Sequence, residues 1–135
     1  MYPIYRWAFG PLEGMSGISS DRGADQLLDF THVYDTAQGI VNIYNNQPTN
    51  SRIFNISGGV AVRLGDVVGI VRDYLGRDTG VRLGSGNAVN RGAPLDIALA
   101  GREVGYKPQF VDIREGIRHY HEWIRSVGFA GRSGQ

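Results

Sequence analysis

The sequence predicts an α/β fold with few short strands, about four helices and an incomplete sheet. Two patterns and one deficit lead there. Apolar residues recur at helical spacing in several segments, and short β-branched or aromatic runs alternate with them in the order strand, helix, strand, helix, strand, helix, helix. The strand-like runs are too few to cover the apolar faces of four helices, because parallel pairing wants more neighbours. An absent partner surface is therefore expected.

Each element follows from local chemistry. Residues 1–26 form an irregular lead-in, of which residues 10–26, GPLEGMSGISSDRGADQ, read as an exposed loop rich in Gly, Ser and Asp. Residues 27–33 suit a short strand. Asp35 or Thr36 then suits the N-cap of a helix that buries Ala37, Ile40, Val41 and Tyr44, and Asn45, Asn46 and Pro48 stop it. Residues 52–57, RIFNIS, have the content of a buried strand, and Gly58 with Gly59 turns the chain. Val67, Ile70, Val71, Tyr74 and Leu75 make one apolar stripe of a second helix, with Gly76 as its C-cap. Residues 81–83 suit a third strand. Asp96 caps a short helix running to Gly105, and Lys107 before Pro108 forces an extended link. Asp112 with Glu115 three residues on opens the last helix, whose face is Ile113, Ile117, Tyr120, Ile124 and Val127. Gly128 ends it, and residues 128–135 are expected to be a disordered tail.

Composition bounds the function. A chain of 135 residues with 41% hydrophobic residues supports one core. Fourteen Lys and Arg against 13 Asp and Glu leave a formal net charge of +1, so no basic field exists for nucleic acid. The arginines are scattered from Arg6 to Arg132 and read mostly as solvated side chains. No cysteine is present, which removes disulfides, thiolate nucleophiles and Cys-ligated zinc. No window approaches the roughly 18 apolar residues of a membrane span. A cytoplasmic protein without membrane contact is the expectation.

Four motifs now carry a resemblance. Asp29-Phe30-Thr31-His32-Val33-Tyr34-Asp35 is followed by a helix; Ile56-Ser57-Gly58-Gly59 ends a strand; Leu95-Asp96 runs on to Arg102-Glu103-Val104-Gly105-Tyr106-Lys107-Pro108; and residues 113–123 close with an aromatic. In this order and at these separations they resemble the NAD-dependent epimerase/dehydratase family, the extended short-chain dehydrogenases/reductases that act on nucleotide-linked sugars. The likeness spans about residues 27–126. It implies that residues 27–127 are the C-terminal, substrate-binding part of a Rossmann-type enzyme.

The resemblance also implies an NAD(P) cofactor for a complete family member, held by a Gly-rich turn, and a catalytic Tyr whose pKa a nearby Lys lowers. This chain's only lysine is Lys107, and no Tyr lies four residues before it. Arg6 sits at the lysine spacing from Tyr2, but Pro3 argues against the helix such a pair needs. No catalytic residue is therefore assigned, and no cofactor is expected to bind this chain by itself. Gly10, Gly14 and Gly17 have no apolar strand before them, and Gly84, Gly86 and Gly92 are wrongly spaced; both sets read as polar loops. Where the family usually carries an Arg before the Asp-Phe pair, this chain has Leu28. Arg91, five residues before Asp96, is the candidate substrate-binding residue, because a guanidinium fork suits a diphosphate. His119 and His121 are two apart on a helix and face different sides, so no metal site is assigned to them, and His32 reads as structural.

Two functions follow. In one, the chain is the substrate-binding portion of a nucleotide-sugar epimerase or dehydratase, inactive until a Rossmann half completes it. In the other, it is a non-catalytic module derived from that family, binding a nucleotide sugar or docking a partner. Exposed apolar surface, and with it self-association, is expected in either case.

Overall fold

A computed structural model describes residues 3–46, 53–89 and 94–128. Those residues build an α/β arrangement of α1 (Pro3–Ala8), β1 (Ser19–Ser20), β2 (Leu27–Asp29), α2 (Val33–Asn46), β3 (Ala61–Arg63), α3 (Leu64–Leu75), β4 (Arg82–Leu83), α4 (Ala98–Val104) and α5 (Ile113–Ser126). A 3₁₀ turn, Gly10–Glu13, follows α1. The sheet is indeed incomplete. β1 pairs with β4 in parallel, and β2 pairs with β3 antiparallel, giving two separate two-stranded sheets among the described residues.

The lead-in departs from expectation. Residues 10–26 were expected to lie exposed, yet Gly10, Pro11, Leu12 and Glu13 are buried. Pro3 begins a helix instead of preventing one, because a proline in the first turn gives up an N–H that has no partner there anyway. Ala8 and Leu12 join Leu64, Val67, Val71, Ile117 and Ile124 in the main core. Segments at opposite ends of the sequence thus share one apolar cluster.

The helices that carry capping chemistry follow the sequence closely. Asp112 accepts a hydrogen bond from the Arg114 amide at 2.9 Å and opens α5. Glu115 does not complete a reciprocal cap; its carboxylate pairs with Arg118. Ile117 and Ile124 are buried, whereas Val127 is 52% exposed beyond the end of the helix. In α3, Val67 and Val71 are buried, and Gly76 terminates it with φ 63°. Tyr74, expected on the same buried stripe, is 41% exposed and meets His121 through its hydroxyl at 3.2 Å. Asp96 Oδ1 accepts from the Ala98 amide at 2.8 Å to start α4, and Gly105 ends it at φ 67°.

α2 differs most. It starts at Val33 rather than after Asp35, with the His32 ring as its cap: Nδ1 accepts the Tyr34 amide at 3.1 Å. The buried positions are Asp35 and Gly39, so Ala37, Ile40, Val41 and Tyr44, expected in the core, lie exposed. Gly39 is pressed against Ile56, where a Cβ would stand 2.6 Å from Cγ2. A second, smaller core forms beyond this contact from Ala100, Val104 and Tyr106, with Ile43, Phe54, Ile56 and Ile97 packed on it. Residues 53–56 run without a ladder partner among the described residues, so the expected strand is not part of a sheet; Arg52, where it was expected to begin, lies outside the described residues.

Candidate functional site

Three acceptor side chains within five residues organise the loop that follows β4. Asp25 Oδ2 accepts the Gly86 amide at 2.6 Å, Gln26 Oε1 the Val89 amide at 2.8 Å, and Asp29 Oδ2 the Leu95 amide at 3.0 Å. Asp29 Oδ2 also accepts the Ser57 hydroxyl at 2.8 Å, and Asp25 pairs with Arg63. Both described flanks of residues 90–93 are therefore tied to the segment around β2. Arg91 itself lies outside the described residues, so the geometry of its guanidinium is not part of this site. Leu28, standing where an Arg was expected, packs half-buried on the main core.

Beside this loop the Ser57 carbonyl is held from the second core. Tyr106 is 4% exposed, and its hydroxyl donates to the Ser57 carbonyl at 2.9 Å. Burial, with Asp35 and Asp29 nearby, pushes that phenol up to about 12, so it stays a donor at neutral pH. Asp35 is 2% exposed and accepts the amides of Gln109 at 2.8 Å and Phe110 at 3.1 Å. It thereby fixes the extended link between α4 and α5.

An aromatic cavity of about 280 Å³ opens at the junction of α1, α2 and α5, lined by residues that include Tyr5, Phe9, Phe30, His32, Phe110 and Tyr120. At one end, Glu13 accepts hydrogen bonds from the hydroxyls of Tyr5 and Tyr120, whose oxygens are 2.5 Å apart. Burial, then the Glu13 carboxylate, raises both phenols above their ordinary value. A carboxylate beside a phenol acts opposite to the lysine that a catalytic Tyr requires. These tyrosines can donate hydrogen bonds, but they are not set up to ionise near pH 7.

At the other end, His119 Nδ1 lies 3.2 Å from His32 Nε2, and His32 stacks on Phe110 with centroids 3.9 Å apart. The cap on α2 requires an unprotonated His32 Nδ1. Burial, then the neighbouring His119, lowers the His32 pKa, while Asp35 opposes the shift. His121 is lowered too, by burial and then Arg125. The folded state thus binds fewer protons than the unfolded one, so stability rises with pH. This contribution is complete above the unfolded value of 6.5 and is lost as pH falls from there through the lower folded values. Thermal unfolding should show a lower Tm at pH 5.5 than at 7.5. His32→Asn, which keeps an acceptor for the Tyr34 amide, should shrink that difference; an unchanged difference would remove His32 from the account.

Sequence spacing separates His119 from His121 correctly, since one meets His32 and the other Tyr74. It does not reveal that His32 and His119, 87 residues apart, meet at all. Among the described residues no three His, Asp or Glu side chains gather as a metal site. A larger groove of about 890 Å³ beside α3 and β4 contains Arg72, Arg77 and Arg82, a concentration missed when the arginines were read as scattered. Arg72 pairs with Asp73 and Arg82 with Asp78 there, so two of the three guanidinium groups are already engaged.

Among the described residues the glycine turns serve local backbone packing. Gly10 opens a 3₁₀ turn that follows a helix rather than a strand. The Gly84 and Gly86 amides donate to the Ser20 carbonyl and to Asp25, and the Gly86 carbonyl accepts from Gly23. At Gly84 a Cβ would collide with the Asp21 carbonyl, so this glycine serves close backbone packing. Among the described residues neither turn leads straight from a strand into an α-helix, the setting a pyrophosphate needs, and Gly92 lies outside those residues. Arg6 is exposed at the end of α1, and Tyr2 lies outside the described residues.

No family model matches the chain, and no curated protein matches it significantly. Solved structures do. MoeE5 in complex with UDP-glucose and NAD is 26% identical with a TM-score of 0.76, over 92% of this chain and 41% of MoeE5. WbmF of Bordetella bronchiseptica in complex with NADH is 24% identical with a TM-score of 0.72, over 93% of this chain and 37% of WbmF. UDP-glucose 4-epimerase of Thermotoga maritima with UDP-glucose is 18% identical with a TM-score of 0.73, over 92% of this chain and 39% of that enzyme. The chain spans about two fifths of the length of the structures it matches. These neighbours are NAD-dependent epimerase/dehydratase enzymes with the Rossmann-type short-chain dehydrogenase/reductase fold, and this chain shares part of that fold. Among the described residues, no helix is long and apolar enough to cross a membrane.

Proposed function

We propose that this chain is the C-terminal, substrate-binding portion of an NAD(P)-dependent nucleotide-sugar epimerase or dehydratase, inactive until a Rossmann half completes it. The observation that carries this reading is the likeness to MoeE5, a protein bound to UDP-glucose and NAD, over 92% of the chain. Four motifs in family order, between Asp29 and Trp123, support it independently. Residues 27–127 form the substrate-binding unit in this reading, residues 1–26 its lead-in and residues 128–135 its tail. A cytoplasmic setting belongs to the same proposal.

The substrate contact is Arg91. The described residues on either side of it are anchored, at Gly86 and Val89 before it and at Leu95 after it, and a guanidinium fork suits a diphosphate. Isothermal titration with UDP-glucose is the test. Binding is expected, and Arg91→Ala should weaken it by about 1–3 kcal/mol, the range for a charge-assisted contact. An unchanged affinity would remove Arg91 from the site, and no heat from UDP-glucose at all would overturn substrate binding by this chain. Titration with NAD should show no binding; micromolar affinity would refute the requirement for a second half.

One observation favours a non-catalytic variant of this reading. The half-buried Tyr5 and Tyr120 face a glutamate, so neither is set up as an acid/base tyrosine. A module that only binds a nucleotide sugar or docks a partner accounts for that equally. Turnover of a UDP-sugar with NAD once a Rossmann half is supplied selects the enzyme; stable assembly without turnover selects the module. Either way, the chain alone carries exposed apolar surface that favours self-association.

A further inference from the structure

Glu13 is a buried carboxylate without a cation. It is 9% exposed, in the 3₁₀ turn after α1, and among the described residues no Arg, Lys or His lies within ion-pairing distance of it. Its side-chain partners there are the hydroxyls of Tyr5 and Tyr120, both on Oε1. Burial, then the carboxylate itself, raises both phenols, so they stay neutral donors. Two neutral donors satisfy hydrogen bonding but not charge, and a buried carboxylate is costly unless a positive group comes near it.

The space beside this cluster is walled by aromatic rings. Tyr5 and Tyr120 line the cavity of about 280 Å³ together with Phe9, Phe30 and Phe110. Phe9 stands nearly perpendicular to Phe30, at 86° with centroids 5.7 Å apart, and to Tyr120, at 78° and 5.9 Å. Walls set close to right angles present ring faces in more than one direction. The volume exceeds a packing gap, since interiors hold few voids larger than one water molecule, about 30 Å³. Small-molecule sites run from roughly 300 to 1,000 Å³, so the occupant of this one is small.

Charge and walls select the same ligand. A neutral aromatic guest would fill the space and leave Glu13 unanswered, and an anion would be repelled by it. A compact organic cation suits both, because ring faces attract a positive group within about 6 Å of their centroids. A phenol that donates to a carboxylate gains electron density in its ring, and Tyr5 and Tyr120 both do so. At the far end His32 adds no positive charge, since its Nδ1 accepts the Tyr34 amide and is unprotonated.

We propose that this aromatic cavity binds a small alkylated ammonium ion, with its methyl groups against Phe9, Phe30 and Phe110 and its charge toward the cluster of Tyr5, Tyr120 and Glu13. The site goes beyond the substrate reading: none of the residues lining the cavity belongs to the loop that carries Arg91.

Isothermal titration of the full chain near neutral pH, with choline and with neohexanol, is the test; neohexanol has the shape of choline with carbon in place of nitrogen and no charge. Choline is expected to bind at least about tenfold more tightly than the alcohol, the scale of one or two desolvated cation–π contacts. Glu13→Gln keeps an acceptor for the phenols and removes the charge, so choline should fall to the level of the alcohol while the alcohol holds its own. Phe9→Leu keeps apolar volume and removes a ring; it should weaken choline more than the alcohol, and it decides the matter if Glu13→Gln does not fold. Equal affinities in the unaltered chain, no binding of either compound, or a preference for choline that a folded variant leaves unchanged would overturn the site.

Discussion

Asp35→Ala should destabilise the chain by about 2–4 kcal/mol, measured by urea unfolding, because it strands two backbone amides that lose a charged acceptor. Asp35 is 2% exposed, and each carboxylate oxygen takes one amide of the link between α4 and α5, Gln109 on Oδ1 and Phe110 on Oδ2. The loss also reaches the aromatic cavity, since Phe110 is the ring on which His32 stacks. Asp35→Asn keeps one good acceptor and should recover part of the stability. A loss under about 0.5 kcal/mol for the alanine variant, the range of an ordinary surface change, would mean that the link finds other acceptors.

Leu64→Ala should cost about 2–5 kcal/mol, the range for a buried leucine whose cavity closes only in part. Leu64 is 0% exposed at the start of α3, where its amide donates to the Gln26 carbonyl at 2.8 Å. It belongs to the cluster that also holds Ala8 and Leu12 from the lead-in and Ile117 and Ile124 from α5. Against a total stability of roughly 5–15 kcal/mol, such a loss removes a large share. Val127→Ala is the control; half-exposed beyond α5, it should shift stability by no more than about 0.5 kcal/mol. Equal effects at the two positions would show that Leu64 is not at the centre of the core.

Elements governed by local chemistry were legible in the sequence. α3, α4 and α5 carry acidic residues near their starts or glycines with positive φ after their ends, and such signals act within a few residues. α2 was misread on both counts because its environment is tertiary. Periodicity locates an apolar stripe but not whether a neighbour is there to cover it, and the close approach of Gly39 to Ile56 chose the other side. β3 and β1 escaped notice because strands of two or three residues have no period to read. The lead-in looked like a loop by composition, yet Ala8 and Leu12 are buried in one cluster with residues of the distant helices α3 and α5.

The site was legible in part. The motifs that resemble the epimerase/dehydratase family appear in order, but the residues that hold the loop were not singled out, because Asp25 and Gln26 are ordinary polar residues until the Gly86 and Val89 amides come within reach. The pairing of Glu13 with Tyr5 and Tyr120 has no local signature either, since Tyr120 lies 107 residues from Glu13.

The three side chains that hold this loop all bind main-chain amides, those of Gly86, Val89 and Leu95. The described flanks of residues 90–93 are therefore held from outside, by the segment around β2, through main-chain amides and not through the side chains of Val89 and Leu95. Any residue except proline can stand at Val89 or Leu95 and still donate. Residues that face a ligand could then be exchanged one at a time without refolding, which is how a fixed scaffold acquires a new preference among related substrates.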